Sequence, residues 1–153
     1  SVELIDPISP FFFDDKKKTT TILSATSILK ILLPERQINE KIYNSFEEMI
    51  SSLKLNNWIN FYLFWELSLI KELGFELDFK NGNLISENRN LVEINNKSFN
   101  IPKVLLKDTL TTISDIEIKE ALIFNKNLLI ENFISPNNLR FPIFRNILES
   151  YYS

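Results

Sequence analysis

The sequence predicts a mainly α protein: a helical bundle wrapped around one buried central helix, with a small β-hairpin set into it. Three observations predict this. The stretch Trp58–Leu73 is apolar on nearly every side, as befits a helix buried among others and not one laid on a surface. Gly74 then stops it, and Phe75, Leu77 and Phe79 alternate with Glu76 and Asp78, so the period changes from helix to strand. Amphipathic segments with recognisable caps and breakers flank it on both sides.

The elements follow in order. Ser1 to Phe13 is apolar, carries Pro7 and Pro10, and reads as an extended lead-in. Asp14 or Asp15 can cap a helix beginning at the cationic run Lys16–Lys18, which is either solvated or able to meet phosphates. Ile22, Ala25, Leu29, Leu32 and Leu33 give that helix an apolar stripe, ended by Pro34. After Leu33–Arg36 an amphipathic segment runs to about Leu53, with Ile42, Phe46, Met49, Ile50 and Leu53 inward and Glu47 and Glu48 outward. Lys54 to Asn57 is a link of the length found between antiparallel helices. On the central helix Trp58, Phe61, Tyr62, Trp65, Leu69 and Leu73 share a face, and Leu63, Phe64, Leu67 and Ile70 fill the rest.

Lys80-Asn81-Gly82-Asn83 is a turn signal, and Leu84-Ile85 and Leu91 to Ile94 read as short strands. Asn95-Asn96-Lys97 makes a further turn, so a hairpin or meander is expected over about 75–97. A short apolar turn surrounds Pro102. Ser114-Asp115-Ile116-Glu117 is a capping box, opening a helix that turns Ala121, Phe124, Leu128 or Leu129, and Phe133 inward and ends near Ser135 before Pro136. Phe141-Pro142 opens a last helix to about Tyr152.

Composition excludes several chemistries. The chain has 153 residues, enough for one domain with a sizeable core, and 13 phenylalanines to fill it. It has no cysteine and no histidine, which removes disulfides, thiolate metal sites and Ser-His or Cys-His catalysis. No apolar run reaches the ~20 residues of a membrane span. The net charge of −3 argues against a broad DNA-binding face on these residues. The absence of an initiator methionine at Ser1 suggests that the natural N-terminus lies upstream.

Leu32-Leu33-Pro34-Glu35-Arg36, then an amphipathic helix, then Trp65-Glu66-Leu67, Leu69-Ile70, Leu73-Gly74-Phe75 and Leu77-Asp78, and finally Phe141-Pro142 with Arg145, resemble the C-terminal helical domain of the RecO (recombination protein O) family. The order and spacing of these motifs carry the resemblance, which covers nearly the whole chain, 1–153, and is nearest the alpha-proteobacterial type. Two features depart from the family pattern. The N-terminal OB-fold domain is absent here and expected upstream. The family's four zinc-binding cysteines are also missing, so the hairpin is a degenerate zinc-finger-like insertion with no metal and no cofactor.

The resemblance implies a non-enzymatic recombination mediator of the RecF pathway. Such proteins are bacterial, cytoplasmic and nucleoid-associated. They bind single-stranded DNA mainly through the OB domain, anneal strands, join RecR, and help RecA load onto DNA covered by single-strand binding protein (SSB). The acidic SSB tail ends in an apolar residue and needs an apolar pocket rimmed by cations. Lys119 and Lys126, seven apart on one helix, would be the cations, and Leu63 and Trp65 the wall, although residues such as Trp65 and Phe64 are more often core than pocket. Glu66, in an apolar helix, needs a partner, and Arg36 is the expected one; an acid–base pair with Asp78 is the alternative. Arg140 and Arg145 are either solvated or in contact with DNA phosphates. The competing class is an all-helical protein–protein interaction domain unrelated to recombination.

Overall fold

The computed structural model describes residues 15–33, 39–74, 84–86, 91–94, 97–106 and 112–152. Five α-helices are present there: α1 (Lys16–Leu32), α2 (Glu40–Ser52), α3 (Trp58–Glu72), α4 (Asp115–Leu129) and α5 (Ile143–Ser150). Between α3 and α4 lie three short strands, β1 (Leu84–Ser86), β2 (Leu91–Ile94) and β3 (Lys97–Asn100), and a 3-10 turn at Lys103–Leu106. Helix α3 is the hub: α2 packs on one side and α4 on another, while α5 packs against α4 and lies along α1. Among the described residues no helix is long and apolar enough to cross a membrane.

Local chemistry sets the helix ends. The Asp15 carboxylate accepts from the amides of Lys17 (3.0 Å) and Lys18 (3.3 Å), satisfying two of the donors a helix start leaves open. Asn39 does the same for α2 through Ile42. On α4 the capping box is complete: Ser114 Oγ accepts from the Glu117 amide (3.2 Å), and Glu117 Oε1 accepts from the Ser114 amide (3.1 Å). Helix α4 passes into one π turn, Ile130–Ile134, and the helical path ends at Ser135 as Pro136 requires.

Helix α3 is as enclosed as its composition requires. Trp58, Ile59, Tyr62, Leu63, Trp65, Leu67, Leu69 and Ile70 are all buried. Ile42, Met49 and Leu53 from α2 and Ala121, Phe124, Leu128 and Leu129 from α4 complete the core around it, as their spacing predicts. Helix α1 differs from expectation. Ala25 and Leu33 of the expected stripe are buried and Ile22, Leu29 and Leu32 pack at the margin, but Thr20, Thr21, Ser24 and Ile28 are buried as well. The hydroxyls make this possible, because each finds a partner: Thr21 donates to the Lys17 carbonyl, Ser24 meets the Tyr62 hydroxyl, and Thr20 meets that of Tyr151.

The β insertion is a three-stranded antiparallel sheet in the order β1-β2-β3. Lys97 is not in a turn as expected; it pairs with Ile94 and opens the third strand. Phe99 of β3 meets Phe124 of α4 edge-on at 6.3 Å, and Lys97 forms an ion pair with Glu131, which ties the sheet to the bundle. The expected Phe75–Phe79 strand, the Lys80–Asn83 turn and the lead-in 1–14 lie outside the described residues.

Gly74 has φ +107°, with open space where a Cβ would stand. The conformation, not crowding, therefore selects glycine here. Gly74→Ala is expected to lower stability by about 1–2 kcal/mol in urea denaturation followed by far-UV circular dichroism, with the helix content of the folded state unchanged.

Candidate functional site

Four helices meet on one carboxylate. Glu66 faces inward from the middle of α3 and is fully buried. One turn earlier on the same helix, Tyr62 donates its hydroxyl proton to Glu66 Oε2 at 2.6 Å. Ser24 Oγ of α1 lies 2.8 Å from the same hydroxyl and must be the donor there, because that phenol has only one proton to give. From α4, Asn125 Nδ2 donates to Glu66 Oε1 and to the Leu63 carbonyl, both at 3.1 Å. From α5, Arg145 donates through Nε to Oε2 (2.6 Å) and through Nη2 to Oε1 (3.0 Å). Its Nη2 also reaches the Leu122 carbonyl at 2.8 Å, and Nη1 lies 3.9 Å from Glu149 Oε1.

The electrostatics follow from enclosure. Burial raises the Tyr62 pKa well above its usual value, the Glu66 carboxylate adds to this, and Arg145 opposes it. Burial alone would lower the Arg145 pKa; the Glu66 carboxylate outweighs that, so it stands above its ordinary value. A carboxylate that accepts four hydrogen bonds while shut away from water has no free face for substrate. The cluster is a lock between helices, and acid–base work with Asp78, which lies outside the described residues, finds no support in it.

The expected partners are thus redistributed. Glu66 is paired by a two-pronged arginine, as an ionised carboxylate in an apolar helix requires, but the arginine is Arg145. Arg36 lies outside the described residues. Arg145 itself is 0% exposed, so it is neither solvated nor open to DNA phosphates; Arg140, in the loop before α5, is exposed. The signal for Arg145 was present in the sequence: Phe141, Arg145, Leu148 and Tyr152 form one apolar stripe interrupted by a single cation. Asn125 likewise interrupts the inward stripe of α4.

The four residues expected to form a peptide pocket do not come together. Leu63 and Trp65 are both buried, and two residues apart on a helix they point to nearly opposite sides. The Leu63 main-chain carbonyl accepts from Asn125, whereas the Trp65 ring packs on Phe46 of α2 at 6.1 Å. Lys119 and Lys126 share an edge of α4, with the half-exposed Ile123 between them. The Lys126 ammonium stands 3.8 Å from Glu149 Oε1 and 5.5 Å from the centre of the Phe141 ring. Separately, a cleft of about 740 Å³ opens between β3, the 3-10 turn and α4, floored by Phe99, Val104 and Phe124. Among the described residues no three acidic side chains come close enough to hold a metal ion.

Residues 14–123 match the family model described as recombination protein O C terminal. The chain belongs to that family. It is 39% identical to the DNA repair protein RecO of Wolbachia pipientis subsp. Culex pipiens (strain wPip) over 100 residues, 63% of this chain and 40% of the relative. The RecO of Ehrlichia chaffeensis is 40% identical over 76 residues, 48% of this chain and 31% of its own. That of the alpha-proteobacterium Rhodospirillum centenum is 32% identical over 56 residues, 37% of this chain and 22% of its own. The chain thus spans about two fifths of the length of the curated RecO relatives it matches most extensively. No solved structure matches it.

Two outcomes are expected for the buried cluster. Glu66→Leu and Arg145→Met should each cost about 3–5 kcal/mol, because each strands a buried charge, while the double variant should cost less than the two singles summed. A double-mutant cycle in urea measures the difference. Tyr62 holds its proton in the folded chain beyond the pH at which the unfolded chain releases it. Its contribution is complete below about pH 10 and is lost as pH rises above that, by about 1.4 kcal/mol per pH unit. Tyr62→Phe should flatten the alkaline decline by one tyrosine's share, leaving that of Tyr152, whose pKa is also raised, chiefly by burial.

Proposed function

We propose that this chain is the helical part of a recombination mediator in DNA repair, acting by binding and not by bond chemistry. The observation that carries the reading is the family match over 14–123, together with relatives named DNA repair protein RecO. In this reading the protein binds the acidic tail of SSB, joins RecR, and assists strand annealing and the loading of RecA, with single-stranded DNA held mainly by an OB domain.

The tail's place is the edge of α4 that bears Lys119, Ile123 and Lys126. The two lysines lie about two helical turns apart, so their ammonium groups stand roughly 10 Å apart along the axis, which suits a run of carboxylates. Ile123 supplies apolar surface between them for the terminal side chain. Glu149 already holds Lys126 loosely, at 3.8 Å, so an incoming carboxylate exchanges one partially solvated pair for another. Exposed Arg140 is the remaining candidate for a phosphate contact.

A fluorescein-labelled SSB tail peptide should bind the chain and lose at least ~10-fold in affinity with Lys119→Ala/Lys126→Ala, and again on raising salt. Unchanged affinity in the double variant removes these two lysines from the site. No binding to the unaltered chain removes the tail from the function of this domain.

A further inference from the structure

Helices α1 and α5 lie side by side and antiparallel. Thr20 meets Tyr151 near one end, and Ile28, Ile31 and Leu32 gather with Phe141 and Pro142 near the other. On α1 the residues Lys16, Thr20, Leu23, Ser27 and Lys30 repeat at three and four, so they form one stripe. The Thr20 contact sets that stripe beside α5. On α5 the neighbouring stripe is Phe144, Ile147 and Tyr151, with Ile143 one turn before Ile147.

This seam is unusually apolar for an outer surface. Ile143 is 67% exposed, Phe144 40%, Leu23 39% and Ile147 37%. Its rim is cationic. Helix α1 carries four lysines and no acid along its 17 residues. Lys16 and Lys30 are exposed at the two ends of its stripe, and neither forms an ion pair among the described residues. The one acid of α5, Glu149, is turned away toward Lys126 and Arg145. Lysines that form no ion pair among the described residues thus stand around exposed isoleucine, leucine and phenylalanine, with Glu47 of α2 in the cleft that Lys30 also lines.

We propose that the α1–α5 seam is a docking surface for an acidic amphipathic helix of a partner protein. The stripe from Lys16 to Lys30 is about 21 Å long, roughly four turns of such a helix. Apolar side chains at i, i+3, i+4 and i+7 would lie over Leu23, Phe144 and Ile147, with carboxylates on either flank reaching Lys16 and Lys30. Aliphatic Ile143, Leu23 and Ile147 favour a protein partner over nucleic acid, whose bases are held by stacking on aromatic faces. The surface is distinct from the Lys119–Lys126 edge, and the inference does not depend on the SSB reading.

The probe is a labelled peptide of glutamate and alanine with leucines at i, i+3, i+4 and i+7. It is compared with a peptide of the same composition with the leucines scattered, and with oligo-deoxythymidine. The glutamate peptide should bind the 153-residue chain. Affinity should fall at least ~10-fold in Ile147→Asp, in Lys16→Glu/Lys30→Glu and in the scattered peptide, and should be untouched by Lys119→Ala/Lys126→Ala. The charge-reversal variant alters only exposed side chains, so it tests the surface even where Ile147→Asp unfolds the chain. Equal binding of the scattered peptide, or no effect of the charge reversal, overturns the proposal. So does oligonucleotide binding that these variants abolish, which would assign the seam to nucleic acid. Self-association lost in Ile147→Asp, with no peptide binding, would assign it to a second copy.

Discussion

Everything in this bundle is arranged about the Glu66 carboxylate. Taking a carboxylate and a guanidinium out of water costs several kcal/mol each, and their attraction offsets that only when the remaining polar groups are also satisfied. Here they largely are: Tyr62, Asn125 and both prongs of Arg145 donate to the carboxylate, and Ser24 completes the tyrosine. Leucine and methionine could fill the same volume without such demands. What they could not supply is direction. A two-pronged arginine bond holds to one geometry, and Asn125 ties α4 to both the side chain and the main chain of α3. The cluster therefore fixes how α1, α4 and α5 sit around α3.

That rigidity has consequences at the surface. Helix α5 is short, eight residues, and separates two differently charged neighbourhoods. On one side Glu149 meets Lys126, so that edge is balanced. On the other, α1 presents lysines with no acid of its own. Arg145, in the first turn of α5, keeps the helix from rolling, which holds the two neighbourhoods apart. An acidic chain can thereby offer localised positive surface without a basic overall composition.

Much of this was legible in the residues. The central helix could be read because Trp58–Leu73 is apolar on nearly every side, and α4 because Ser114 and Glu117 stand three apart ahead of an apolar run. The inward face of α1 was read in part: the stripe through Ala25 and Leu33 does meet the core, but the buried hydroxyls were missed because they count as polar in any stripe; Thr21 and Ser24 are buried because Lys17 and Tyr62 satisfy them. The partner of Glu66 was misjudged for a different reason. Sequence patterns show that a buried charge needs an opposite one, but choosing among arginines requires the packing of helices far apart in the chain. Arg145 is 79 residues from Glu66. Its place on an otherwise apolar stripe was the usable clue. The third strand was hidden because Lys97, next to two asparagines, looks like turn chemistry until Ile94 is seen opposite it.

The chain position of Arg145 carries one more implication. The family match ends at residue 123, yet the cation that neutralises the innermost acid arrives from a helix that begins at Ile143. The span matched by the family model and the span that must fold together are different lengths. Cutting at residue 123 would leave an ionised group in hydrocarbon without its counter-charge. Helix α5 is thus the keystone of the bundle.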